Sequence, residues 1–320
     1  MKQTLLTICL ILFALPVWGD NLVCKYIGLN CPEIDNWKDL YELDGLYYKR
    51  FTDSPFTGKI TGGEKQGSMK DGKKEGNWVE YYESGQIKKS KGNFKDGVRD
   101  GVWTEYHKNG KLREKSYYIN GKQEDEWVSY HKNGQLRFKG YFKDDKNVGE
   151  WISYYDNGQL SRKGFYKNGN KENEWISYHR NGQLEGKGFY KNGNKENEWV
   201  GYFDNGKLWY KGKFKKGKKD GPWLTNLPNG KLNFNVEYKN DLKEGIYVEQ
   251  YSNGQVMDRG RYKNNERNGF WVGYFANGNL NYKGEYKNGL REGFWVVYNK
   301  DGTVYQNSTG TFKNGKKISE

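Results

Sequence analysis

A tryptophan recurs along this chain at a fixed interval: Trp78, Trp103, Trp127, Trp151, Trp175, Trp199, Trp223, Trp271 and Trp295, with Tyr247 in the one remaining place. The first step is 25 residues and every later one is 24. An Asn-Gly pair or close variant keeps step, from Ser84-Gly85 through Asn133-Gly134 to Asp301-Gly302. A unit this short cannot bury a core of its own, so about ten copies have to stack, each against its neighbours. The periodicity overrides the two globular domains that a chain of 320 residues would otherwise suggest.

Composition narrows the architecture. Aromatic residues are 17% of the chain and all apolar types together only 34%, so half of the apolar material is Trp, Tyr and Phe. A mean hydropathy of -1.11 is too polar for an ordinary two-layer core, and the aromatic content is too high for disorder. A thin sheet satisfies both.

Within the copy that starts at Trp175, two Asn-Gly pairs punctuate alternating apolar residues, which is the strongest short-range hairpin signal. Reading Asn181-Gly182 as a two-residue type I′ turn sets Trp175 opposite Gly188. Reading Asn192-Gly193 the same way sets Trp199 opposite Gly186. Both turns assign the same parity. One face then carries Trp175, His179, Leu184 and Tyr190 beside Gly186 and Gly188, with rings lying over strand glycines, and is expected to be dry. The other carries Ile176, Tyr178, Lys187, Phe189 and Lys191.

The recurring pattern G/N-x-W-x-x-Y-x-x-N-G-x-L-x-x-K-G-x-Y-K-x-G, from Lys73 to the C-terminus, resembles the bacterial variant of the MORN repeat. Residues 73–320 are read as the repeat array. Asp44–Gly62 resembles the degenerate opening unit of such proteins, within an N-terminal segment and cap spanning 20–72, and Ser308–Lys317 resembles their closing strand pair. The resemblance implies an all-β, elongated, single-layer antiparallel sheet of about ten β-hairpins, used for binding or scaffolding. Some relatives carry an antitoxin label. The copy at Trp223 departs from the pattern at Pro228 and Asn235, and a short helix is expected near Asp35–Leu43.

The N-terminal stretch MKQTLLTICLILFALPVWG has a basic Lys2, an apolar run from Leu5 to Leu15, and small residues near a cleavage point. Residues 1–19 therefore read as a secretory signal peptide. Eleven apolar residues are too few to cross about 30 Å of hydrocarbon. Export to the periplasm, cell surface or medium follows, and in an oxidising compartment Cys24 and Cys31 are expected to form a local disulfide.

Enzyme chemistry finds little purchase. His107, His131 and His179 share one repeat column, about 9.6 Å apart from copy to copy, too far to share a metal at bonds near 2.1 Å. They read as rings standing in for Tyr or Phe. No GxSxG, HExxH, P-loop or zinc-spaced Cys pair occurs, and the glutamates of the repeated KENEW read as exposed ladder charges. No cofactor or metal is expected. The net charge of +14 is mostly Lys spread along the repeats, which protects sheet surfaces from aggregation. The same lysines could grip an acidic partner, which leaves nucleic acid disfavoured in an exported chain.

Two function classes fit. The first is a scaffold that binds a protein along the ribbon. The second is a wall that binds a glycan or anionic lipid, in which Tyr130, Tyr154, Tyr178 and Tyr202 form platforms and Lys139, Lys163, Lys187 and Lys211 attract charge. An antitoxin role rests on the family resemblance alone.

Overall fold

A computed structural model describes residues 33–34, 36–83 and 88–320. The signal segment, the Cys24/Cys31 pair and the Ser84-Gly85 turn lie outside the described residues. The chain divides into two compact units, one up to Lys146 and one from Asn147 onward.

In the first unit, strand Glu33–Ile34 runs parallel to Gly58–Ile60. Gly58–Ile60 pairs antiparallel with Lys65–Lys70, which leads into the first repeat strand, Lys73–Tyr81. Of the short helix expected near Asp35–Leu43, the described residues form one 3-10 turn, Trp37–Asp39, capped by Asn36. The next residues form a hairpin instead, Leu40–Leu43 with Leu46–Lys49. Its turn is Asp44-Gly45, with φ of 51° and 78°, as a type I′ turn requires. Ile34, Leu40, Phe56, Ile60 and Met69 close over Trp78, which becomes fully buried. An apolar cluster thus caps the end of the stack, where a bare repeat would expose its ring. From there, hairpins follow one another to Leu136–Lys143.

The second unit is built from the same hairpins. It ends in the short pair Gly310–Lys313 and Lys316–Ser319, at the place of the expected closing strands. All described strand pairs beyond the first parallel contact are antiparallel.

The copy around Trp175 shows why the repeat works. Strand Asn170–Tyr178 pairs with Leu184–Lys191 at Trp175↔Gly188 and Ser177↔Gly186. At Asn181-Gly182 the chain does not form the two-residue turn expected. Only Gly182 has positive φ (85°), and Tyr178 pairs with Leu184 after a one-residue shift. The His179 amide donates to the Gln183 carbonyl at 2.8 Å, and the Gly182 amide to the His179 carbonyl at 2.8 Å. This is a three-residue loop with glycine in the left-handed position and a bulge. Asn192-Gly193, with φ of 50° and 79°, is the type I′ turn expected.

The register across the next turn also differs from the one expected. Trp199 lies opposite Gly188 and not Gly186. Between the pairs Phe189↔Glu196 and Gly188↔Trp199 the strand takes up two extra residues, Asn197 and Glu198, with Asn197 at φ 56°. Two extra residues preserve parity, so the faces survive the shift. The bulge brings Trp199 over Gly188, where a Cβ would stand 2.2 Å from the ring. The Trp199 indole N–H donates to the Phe189 carbonyl at 3.2 Å, and the same bond recurs from Trp78, Trp103, Trp175, Trp271 and Trp295.

Candidate functional site

The candidate residues fall on the two faces that strand alternation defines. Tyr130, Tyr154, Tyr178 and Tyr202 each end the first strand of a hairpin, half-buried, on the face opposite the tryptophans. The backbone carbonyls of three of them accept from the preceding copy. The His107 ring lies 2.9 Å from the Tyr130 carbonyl and the His179 ring 2.8 Å from that of Tyr202. The Tyr155 hydroxyl donates to the Tyr178 carbonyl at 2.8 Å. These two histidines therefore occupy the place of a Tyr and stitch copies together through Nε2–H.

The lysine column lies on the same face, in register with β-branched residues: Lys139 with Val128, Lys163 with Ile152 and Ile176, Lys187 and Lys211 with Val200. The structure gives three of them an acidic partner. Lys139 meets Glu126 at 2.7 Å, Lys187 meets Glu174 at 3.7 Å, and Lys211 meets Glu198 at 3.0 Å. The other glutamates of the repeated run cap turns: Glu172 accepts from the Asn192 amide and Glu196 from the Lys216 amide, each at 2.9 Å. The acidic run is thus the counterpart of the lysines and the lock on the type I′ turn. Beside these pairs stand exposed rings such as Phe165 and Phe189.

The tryptophan face is not the dry face expected. A cation four residues before the ring lies over it in most copies: Lys74 on Trp78, Arg99 on Trp103, Lys171 on Trp175, Lys195 on Trp199, Lys219 on Trp223, Lys243 on Tyr247, Arg267 on Trp271 and Arg291 on Trp295. Distances to the ring centroid run from 4.1 Å for Lys219 to 5.0 Å for Lys74 and Lys243. Each ring also meets an aromatic of the neighbouring strand edge-on, as in Tyr166–Trp175–Tyr190–Trp199–Phe214. Each of these seven indoles is therefore held between a glycine backbone and a cation, an arrangement favoured by the ring quadrupole; Trp127 and Trp151 have Gln123 and Asn147 at the cation's position. Burial holds Lys171, Lys195, Lys219 and Lys243 below the usual lysine range and pushes Tyr166, Tyr190, Tyr210 and Tyr238 up. The sequence held this signal as a Lys or Arg four places ahead of the ring. In a plain strand, however, four residues separate side chains by about 13 Å. Only the bulge folds the cation back.

Around Trp223 the ring turns its six-membered edge to Gly212 and stacks on Tyr210, 5.5 Å between centroids and 3° between planes. Pro222 stands at the Glu174/Glu198 column, and Asn235 faces Leu224 where other copies pair Lys with a β-branched residue. No group of three or more metal-ligating side chains occurs among the described residues, and none of their helices is long and apolar enough to cross a membrane.

The hairpins, stacked rings and two patterned faces define a β-hairpin repeat protein whose copies present surfaces. The chain belongs to the family described as MORN repeat variant, whose profile matches residues 74–96, 99–120, 126–144, 147–168, 171–192, 195–216, 219–240, 243–264 and 267–288. That family is generally non-enzymatic, and its repeats commonly mediate protein or membrane-lipid interactions. No curated protein sequence matches the chain. Among solved structures, similarity extends to a crystal structure of TcdB2-TccC3-Cdc42, with 11% identity over 81% of this chain and 16% of that one, at a TM-score of 0.18. A crystal structure of TcdB2-TccC3 gives 12%, 85%, 18% and 0.18. The Photorhabdus luminescens Tc holotoxin pore gives 10%, 85%, 17% and 0.17. This chain spans under a fifth of the length of each.

Proposed function

We propose that the protein is a non-enzymatic, exported scaffold that binds a protein partner through the face carrying Tyr154, Tyr178, Lys163 and Lys187. The observation that carries this reading is the composition of that face. Lys187 and Lys211 pair with glutamates of the same face, while Phe189, Phe270 and Phe294 stay 46%, 56% and 59% exposed. Exposed aromatics among paired, mixed-sign charges suit a protein surface. A polyanion such as an acidic glycan or lipid layer would compete with the glutamates for each lysine. A copy offers two strands of about eight residues, or roughly 250 Å², so three or four successive copies supply the ~800 Å² per partner that a specific interface needs. Repetition adds avidity without a new type of contact. Export is inferred from residues 1–19 alone.

The test is capture from an extract of the source organism's envelope, comparing wild type with Phe165→Ser/Phe189→Ser and with Lys171→Met, which alters the other face. A partner retained by wild type and K171M and lost by the double variant is the expected outcome. The same proteins on all three would overturn the reading. Intact mass of the exported chain checks removal of 1–19.

A further inference from the structure

On the tryptophan face of the second unit, one row of side chains runs across the strands. In register it reads Arg162, Ser177, Gly186, Gly201, Tyr210. Elsewhere in the row something fills the space: the Tyr210 ring lies over Gly201, the Tyr282 ring lies over Gly273, and Asp258 is buried between Arg267 and Tyr282. At Gly186 the three atoms nearest to where a Cβ would stand are all backbone, from Val200 and Gly201, whereas Gly201 and Gly273 each have a tyrosine ring there. Beside Gly186, where no ring covers the row, lies a hollow of about 200 Å³, lined by Ser177, Gly186, Trp175, Tyr190 and Trp199. Its rim is Arg162, Lys171 and Lys195.

Three cations meet there without an acid. None of them makes an ion pair among the described residues. Glu185, beside Gly186 in the chain, is outside the lining and acts on Tyr210. The contrast within the same column is sharp: Lys219 feels Asp241, Lys243 feels Glu249, and Arg267 contacts Asp258 at 2.5 Å. Lys171 and Lys195, besides their burial, feel only other cations. Both ammonium groups are held over their indoles at 4.4 and 4.2 Å, so they are positioned before any ligand arrives. Half-buried, preorganised and mutually repelling cations gain most from a multiply charged anion.

We propose that this hollow binds a phosphate or sulfate monoester carried by a small soluble molecule. The volume is below the ~300–1,000 Å³ of typical ligand clefts and equals roughly six or seven waters at about 30 Å³ each. That space takes the oxyanion and part of its carrier. The recessed floor favours a group that can enter over one that lies flat. The site is independent of the protein-binding face, since Ser177 and Gly186 point away from Tyr178 and Lys187.

Calorimetry on the full chain decides it, with sodium phosphate, glucose 6-phosphate, neutral glucose, and vesicles of phosphatidic acid in phosphatidylcholine as probes. Phosphate and glucose 6-phosphate should bind, and glucose should not. Arg162→Gln, at an exposed position that leaves the fold intact, should weaken glucose 6-phosphate at least fivefold. Lys171→Met/Lys195→Met keeps the aliphatic stems over the rings and should abolish binding, whereas Lys219→Met should stay within twofold of wild type. Absence of glucose 6-phosphate binding, whether or not inorganic phosphate binds, equal binding by all variants, or binding to vesicles alone would overturn the assignment.

Discussion

At the scale of single residues, the array depends on small groups beneath large ones. Gly188 faces Trp175 on one side and Trp199 on the other, and the Trp199 ring occupies the space of its missing Cβ. A rigid ring cannot yield like the end of a flexible chain. Gly188→Ala is therefore expected to destabilise by about 2–3 kcal/mol, through overpacking and loss of the cation–ring stack above. Lys187→Ala, one position away on the other face, should change stability by under ~1 kcal/mol, because its partner Glu174 is itself solvated. Denaturant midpoints of the two variants make the comparison; similar losses would show that the ring does not rest on that glycine.

At the scale of the element, the same dipeptide makes two different turns. Asn181 has ordinary negative φ and works through its side chain: Oδ1 accepts from the Gln183 amide at 3.0 Å, and Nδ2 donates to the Asp204 carbonyl of the next copy at 2.7 Å. Asn192 works through its backbone, at φ 50°. Glycine supplies the second property and not the first. Asn192→Gly should thus be nearly neutral, while Asn181→Gly should cost about 1–2 kcal/mol from two lost hydrogen bonds. Urea unfolding of both variants tests this, and the reverse order would refute the assignment of roles. Asn-Gly in the sequence marked both turns and could not tell them apart. The difference lies in the bulge after Ser177, which the flanking pairing imposes.

At the scale of the whole molecule, the repeated burial of phenols and ammonium groups sets the response to alkali. Burial pushes Tyr47 up to about 12 and raises Tyr166, Tyr190, Tyr210 and Tyr238 above their ordinary 10.0. Above pH 10.0 the unfolded chain loses these protons first, so stability falls as pH rises through the folded values. The lysines act with the opposite sign. Lys74, Lys171, Lys195, Lys219 and Lys243 sit below their ordinary 10.5, chiefly through burial, so the unfolded chain binds more protons below 10.5 and stability rises with pH there. Melting temperature should therefore hold or climb slightly towards pH 10 and then drop. Phenolate absorbance of the native protein should lag behind that of the unfolded chain. A melting temperature that falls steadily from pH 8 would contradict the lysine contribution, and coincident phenolate curves the tyrosine one.

The sequence by itself determined the repeat, the column of rings over glycines, the all-β hairpins and the division of side chains between two faces. These follow from period and parity, and a two-residue slip leaves parity untouched. For the same reason the sequence could not determine which glycine lies beneath Trp199, nor that Lys195 returns over its ring across a gap that a plain strand would keep near 13 Å. Those were decided by the tertiary structure, through the bulge at Asn197–Glu198. So was the pairing of Lys187 with Glu174, and so was the lack, among the described residues, of an ion pair for Lys171 or Arg162. Ion pairs form between residues on different strands, and the distance between them is set by register rather than by spacing along the chain.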